Sequence, residues 1–347
     1  MRACIPLSIV TLVLTFVPHP SSLRAQGSLV PPGAPAPTMK SLDQIEARMP
    51  ISSAPFTITQ RGSYYLTTNL TVTTGNAITV STNGVTIDLG GFTISSTAPS
   101  ALGSGISLFA NDCTIRNGHI AGGVTNNGSG VYNGPGFGYG ILGTTSGNIH
   151  VTDVSVSGCL NNGIALGGGS STLVESCTVN TVGGYGIIAN IVSRCSAFSC
   201  GNTAISAYTA ADCYGYCTGS SGDGVSANNA ANNCTGVSVG GVGVYVTGAA
   251  INCSGQSSSG AGISVSGAAS NCYGASQTAD GMDVEGTATS CSGVSVSGDG
   301  FFATVAIGCA GSSTSGFGID AFIGNSCYGT TISGSAAEEV PNKYNMP

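Results

Sequence analysis

Nine cysteines (Cys177, Cys195, Cys213, Cys234, Cys253, Cys272, Cys291, Cys309 and Cys327) recur at intervals of 18 to 21 residues. A unit this short cannot bury a core by itself. Neighbouring units must therefore stack along one axis, which makes the chain a solenoid. Counted from each cysteine, a small or apolar residue stands two positions on: Val179, Ala197, then glycine from Gly215 to Gly329. Nine positions on, a second segment of the form Gly-apolar-any-apolar begins, as at 243–246 (Gly-Val-Tyr-Val) and 281–284 (Gly-Met-Asp-Val). Alternation of this kind is a strand signal, with the cysteine and the apolar residues pointing inward. Gly, Ser, Thr and Val dominate and no long helical pattern occurs, which excludes a helical solenoid. A propeller needs units of about 40 residues.

The same register runs backwards. Val154 precedes Gly163 by nine, and Cys113 and Val85 are assigned to the same slot. This predicts an all-β chain, a single-stranded parallel β-helix of about twelve coils over 50–335, with a Gly- and Asn-rich insertion near 122–139. The preceding segments read differently. Residues 1–26 carry Arg2, an apolar run from Ile5 to Val17 and a small-residue cleavage site near Ala25, the pattern of a secretory signal peptide. Residues 27–38 hold four prolines and read as an extended tether. In 39–49, Leu42, Ile45 and Met49 have helical spacing, and a capping helix is expected over the open N-terminal end. Residues 336–347 form a tail.

Without Arg2 and Arg24 the exported chain keeps 6 basic and 15 acidic residues, a net charge of 6 − 15 = −9, and beyond Cys195 its only base is Lys343. Nucleic acid and anionic membrane are poor partners for such a surface. No later apolar run is long enough for a membrane span. Secretion, or a periplasmic or cell-surface location, is the expectation.

Residues 56–66 (Phe-Thr-Ile-Thr-Gln-Arg-Gly-Ser-Tyr-Tyr-Leu), 69–71 (Asn-Leu-Thr) and 84–94 (Gly-Val-Thr-Ile-Asp-Leu-Gly-Gly-Phe-Thr-Ile) resemble the N-terminal coils of secreted right-handed parallel β-helix proteins. These are the pectin-lyase-like superfamily, which includes NosD-like repeat proteins. The resemblance implies a right-handed helix. It also implies a polysaccharide or cell-surface glycan as partner and, for the lyases and hydrolases of the group, catalytic residues on one outward strand face. The cysteine-bearing coils are shorter than that group's usual coil.

The cysteines admit two readings: thiols stacked as small core residues, or disulfides between adjacent coils, which export permits. A stack of parallel side chains does not give the near-right-angle torsion of a disulfide, so free stacking is expected. Cys213 and Cys217 alone make a poor zinc site.

Two groups of candidate site residues stand out. In the C-terminal coils Asp283 and Asp320 occupy one outward column, two coils and thus about 9.6 Å apart, with Phe302 between them and Ser264 and Tyr245 below. Two carboxylates at that distance suit glycoside hydrolysis, and an aromatic beside acids suits a sugar. Asp280, Asp283, Glu285 and Asp299 form the candidate calcium set, although Asp280 and Asp299 also precede glycines as turn residues do. No other cofactor is expected. In the N-terminal coils Asp88 and Arg116 share a register position, as do Asp112 and Asp153. His119 and His150 flank the insertion, whose Tyr132, Phe137 and Tyr139 suggest a lidded groove. Neither group is a complete catalytic constellation. A non-catalytic carbohydrate-binding or structural, adhesive scaffold is the leading expectation. The alternative is a polysaccharide lyase or glycoside hydrolase, with Asp283, Asp320, Arg116 and Asp153 as its catalytic candidates.

Overall fold

The computed structural model describes residues 47–143, 147–167, 171–332 and 338–344. They form a parallel β-solenoid of about fifteen turns, more than the twelve expected. Each coil carries three short strands rather than two, and like strands stack into sheets that we call A, B and C. In the C-terminal half one coil runs Ala249–Ile251 (sheet A), Ser254–Ser257 (B), Ile263–Val265 (C), and then Ala268–Ser270 begins the next A strand. At about 4.8 Å per strand the stack is roughly 70 Å long. No described helix is long and apolar enough to cross a membrane. Most of the expected capping helix lies outside the described residues. Its last residue, Met49, opens the strand Met49–Ile51, which pairs in parallel with the next A strand.

The ladder cysteines turn the chain from sheet A to sheet B. Cys177 to Cys327 are all buried and, with Cys113, Cys159, Cys200 and Cys217, all are free thiols. The residue before each ladder position has a positive φ: Ser176, Arg194, Asp212, Asn233, Asn252, Asn271, Ser290, Gly308 and Ser326. Such a residue bends the strand sharply, and Asn, Asp and Gly tolerate that conformation best. The bend aims each thiol at the carbonyl two residues back, as in Cys213 to Ala211 O (3.1 Å), Cys253 to Ile251 O (3.3 Å) and Cys272 to Ser270 O (3.3 Å). Cysteine therefore supplies a small apolar body and a weak donor for a corner carbonyl.

Two assignments are corrected by the pairing. Cys113 stacks between Val85 and Ile149 at the start of sheet A, so neither Cys113 nor Val85 fills the ladder slot. In that coil the slot belongs to Gly118, which pairs with Val154. Cys113 heads the sheet A strand and lies five residues before that corner.

A second column lines the corner between sheets B and C: Cys159, Val182, Cys200, Cys217, then Ser238, Ser257, Ser276, Ser295 and Ser313. Burial pushes the Cys159 thiol up to about 12 and raises Cys200 and Cys217 as well. The serines are buried and fully used. Ser257 Oγ donates to Gly241 O (2.6 Å) and accepts from Gly260 N (2.9 Å), and Ser238 does the same with Gly222 O and Gly241 N. Each hydroxyl pairs turn groups that burial would otherwise leave unsatisfied.

Candidate functional site

Sheet B presents a long uncharged surface. One of its outward columns runs Ser196, Tyr214, Thr235, Ser254, Tyr273, Ser292, Ala310, Tyr328. Three tyrosines thus recur at every third coil, about 14 Å apart, with small, mostly hydroxyl-bearing residues between them. Tyr273 is 41% and Tyr328 59% exposed, so their rings are open to a ligand. In the neighbouring column Phe198 is 40% exposed, and its ring lies 4.9 Å from that of Tyr214. The tyrosines of this column stand one residue after a ladder cysteine. That position is legible in the sequence, but a tyrosine there gives no signal until the coils are stacked in register.

At the N-terminal end of this surface lies the insertion. Its hairpin pairs Thr125–Asn126 with Tyr132–Asn133. Asn127 Oδ1 accepts from Ser129 N (2.8 Å) and Val131 N (3.2 Å), which closes the turn. The Tyr132 hydroxyl meets Thr218 Oγ1 at 2.7 Å and Ser199 Oγ at 3.3 Å, and receives the Asn126 amide at 3.0 Å. Burial raises the Tyr132 hydroxyl pKa. The hairpin is thereby latched across later coils and roofs a cleft of about 430 Å³ lined by Val124, Thr125, Asn126, Ser157, Thr181 and Ser199. Phe137 is fully buried at 0% exposure and belongs to the core rather than to a ligand surface. Tyr139 begins a C strand opposite Ser104. Of the three aromatics only Tyr132 borders the cleft side, and its hydroxyl is committed.

Sheet A carries the charge of the N-terminal half. Asp88 pairs in register with Arg116, and their side chains meet at 3.2 Å, with Arg48 at 3.6 Å on the same carboxylate. Burial raises the Asp88 pKa, but the Gly90 N–H, the Asn117 amide and Arg116 together outweigh it and hold the carboxyl below its usual range. Arg48 also lies over the Tyr65 ring at 4.6 Å. Further along, Glu175 pairs with Arg194 and lies 3.6 Å from His150 Nε2, which has no hydrogen bond.

These residues do not assemble into a catalytic group. His150 is beside Thr114 on sheet A, whereas His119 is on sheet B beside Thr93 and Ser155. Asp153 is exposed in the A–B corner with φ 54°. Asp112, expected to match it, instead precedes Cys113 and accepts the Asn148 amide at 2.7 Å.

Sheet C carries the acids of the C-terminal half. Its register runs Ser226, Tyr245, Ser264, Asp283, Phe302, Asp320, the column read from the sequence. Asp280 and Asp299 are not free to join it, because the Oδ1 of each accepts a hydrogen bond from a backbone N–H of the next coil, Asp299 N and Phe317 N, both at 2.8 Å. Glu285 is exposed on the adjacent edge column. Among the described residues no three His, Cys, Asp or Glu side chains come together as metal ligands, so the four candidate calcium residues form no cluster. Burial, then the charges of Asp280 and Glu285, raise the Asp283 pKa. A cavity of about 170 Å³ lies beside the column, lined by Phe302, Thr304, Asp320, Phe322 and Pro341.

Comparison with protein-family models, with curated protein sequences and with solved structures returns no match for this chain.

Proposed function

We propose that this protein is an exported, non-catalytic rod that binds an uncharged polysaccharide along sheet B. The observation that carries this reading is the column in which Tyr214, Tyr273 and Tyr328 recur at every third coil with small residues between them. Aromatic rings take the apolar faces of sugar rings, while hydroxyls and amides take the sugar hydroxyls. A fixed spacing on a stiff scaffold adds such weak contacts without a large ordering cost. The cleft under the insertion, lined by Thr125, Asn126, Ser157, Thr181 and Ser199, continues this surface. Export, the right-handed winding and kinship with pectin-lyase-like proteins belong to the same proposal, supported by the signal-like N-terminus and the resembling N-terminal coils.

Affinity electrophoresis through gels containing hydroxyethylcellulose, soluble glucans, pectin or alginate tests the reading. The wild type is expected to be retarded by a neutral polymer, and Tyr273→Ala and Phe198→Ala each to lose much of that retardation. Unretarded migration in every neutral gel sinks the proposal. Release of oligosaccharides, abolished by Asp283→Ala, would establish the enzymatic alternative instead.

A further inference from the structure

Sheet C repeats the aromatic step of sheet B with different chemistry between the rings. Tyr245 and Phe302 stand in one outward column three coils apart, the same step of about 14 Å that separates Tyr214, Tyr273 and Tyr328. On sheet B the residues between Tyr214 and Tyr273 are Thr235 and Ser254. On sheet C the residues between Tyr245 and Phe302 are Ser264 and Asp283, with Glu285 two positions further along the same strand. Beyond Cys195 the sequence has one base, Lys343, against nine acids: Asp212, Asp223, Asp280, Asp283, Glu285, Asp299, Asp320, Glu338 and Glu339. Asp212 stands at the A–B corner, and the other eight lie on sheet C strands or in the turns that adjoin them. One face of the C-terminal half is thus acidic, and sheet B beside it is neutral.

We infer that the outer face of sheet C is a second glycan surface, for a polymer of amino sugars whose ammonium groups meet Asp283 and Glu285 while its ring faces lie on Tyr245 and Phe302. The inference rests on the reading of sheet B for the aromatic step and goes beyond it in site and in charge. Asp283 is half-buried among carboxylates, and no cationic side chain of its own or the adjoining coils offsets it. A buried charge of this kind is costly until a counter-charge arrives. An ammonium placed there makes charge-assisted hydrogen bonds. Polyuronates, being anionic, are repelled by the same carboxylates. Burial, and then the charges of Asp280 and Glu285, raise the Asp283 pKa accordingly. The cavity beside Phe302, walled by Thr304 and the exposed Phe322, gives the rings an edge to sit against.

The test is titration of the intact protein with soluble chitosan, hydroxyethylcellulose, polygalacturonate and polylysine. Chitosan should bind and polygalacturonate should not. Asp283→Asn with Glu285→Gln should weaken chitosan at least about tenfold, since each charge-assisted bond is worth about 1.4 kcal/mol or more. Phe302→Ala should weaken chitosan severalfold, and added salt should weaken it in the wild type. The same variants should leave hydroxyethylcellulose binding unchanged, while Tyr273→Ala should do the reverse. Circular dichroism confirms that each variant is folded, and the salt dependence requires no variant. Chitosan binding indifferent to Asp283→Asn/Glu285→Gln overturns the inference and leaves the sheet B reading standing. Polylysine binding as tightly as chitosan, with Phe302→Ala silent, also overturns it, because the face then reads charge alone. Loss of hydroxyethylcellulose binding in the wild type strikes the sheet B reading and not the acidic surface.

Discussion

The two halves of the solenoid fill their interiors in opposite ways. In the N-terminal coils every sheet contributes large inward residues, such as Ile87 and Ile115 from sheet A, Ile94 and Ile120 from B, and Ile106 and Ile141 from C, all buried. In the C-terminal coils sheet C keeps Ile263, Met282 and Phe301, but sheet A has shrunk to Ala250, Ala269 and Ala288 and sheet B to Gly255, Gly274 and Gly293. The coil shortens with them, from 23 residues between Val151 and Val174 to 19 between Ala231 and Ala250. Large side chains from one sheet then suffice to fill a narrower section, and the backbones of sheets B and C approach directly. A tapering coil is a matching of volumes.

The sharpest way to break this comparison is to add one carbon in each half. At Gly255 a Cβ would lie 2.0 Å from the Gly262 carbonyl oxygen, and backbone cannot be trimmed. Gly255→Ala is expected to cost about 3 kcal/mol or more. At Gly163, in a wide coil, the nearest atom is instead Val179 Cγ1 at 2.4 Å. Gly163→Ala should also destabilise, but adding Val179→Ala, itself worth about 2 kcal/mol, should recover part of the loss. A double-mutant cycle read from urea midpoints should thus show coupling at Gly163 and Val179 and none between Gly255 and a neighbouring side chain. If trimming Ile263, the nearest side chain to a Cβ at Gly255 (2.5 Å), rescues Gly255→Ala, the narrow half is side-chain packed after all.

Much of the narrow half was legible in the sequence. Its period, the glycine two residues past each cysteine and the column Tyr245, Ser264, Asp283, Phe302, Asp320 all follow from strict repetition. The pairing of Asp88 with Arg116 was legible too, because Val85 and Cys113 head equivalent strands even though neither is a ladder residue. The wide half resisted elsewhere. Its coils vary in length, so a register carried backwards mistook Cys113 for a corner residue where Gly118 stands. The third strand of each coil was hidden because its inward residue is often a lone alanine between small neighbours, as at Ala269, which carries little strand signal. The insertion's seat on Ser199 and Thr218 joins residues 67 and 86 positions from Tyr132. No local pattern encodes contacts of that range.

That seat is a feature of the wide half alone, and removing one atom probes it. Tyr132→Phe keeps the ring and deletes the hydroxyl that meets Thr218 and Ser199. It should cost about 1 kcal/mol, with faster amide exchange confined to the hairpin around 125–133 and no change in the coils beyond Cys234. Exchange rising along the whole solenoid would show instead that the hairpin staples the rod, and the two halves would have to be treated as one cooperative unit.

Acid should separate the halves with the smallest effect and the clearest sign. Asp88 has a folded pKa below its unfolded value, through Gly90, Asn117 and Arg116 acting against burial. Its stabilisation is therefore complete above about pH 4 and is lost as pH falls through the folded value. Asp283 has a folded pKa above its unfolded value, from burial and then from Asp280 and Glu285. The native state holds that proton more tightly than the unfolded chain does, so the ionised group costs stability at neutral pH, and the cost fades as pH falls through the folded value. Asp88→Asn should accordingly lower the Tm at neutral pH, and Asp283→Asn should raise it. The first difference should persist down to about pH 4 and vanish only below it, while the second should already have shrunk by then. Equal signs for the two substitutions at neutral pH would mean that the acidic face of the narrow half is compensated within the fold, and would remove the electrostatic ground for assigning it a cationic ligand.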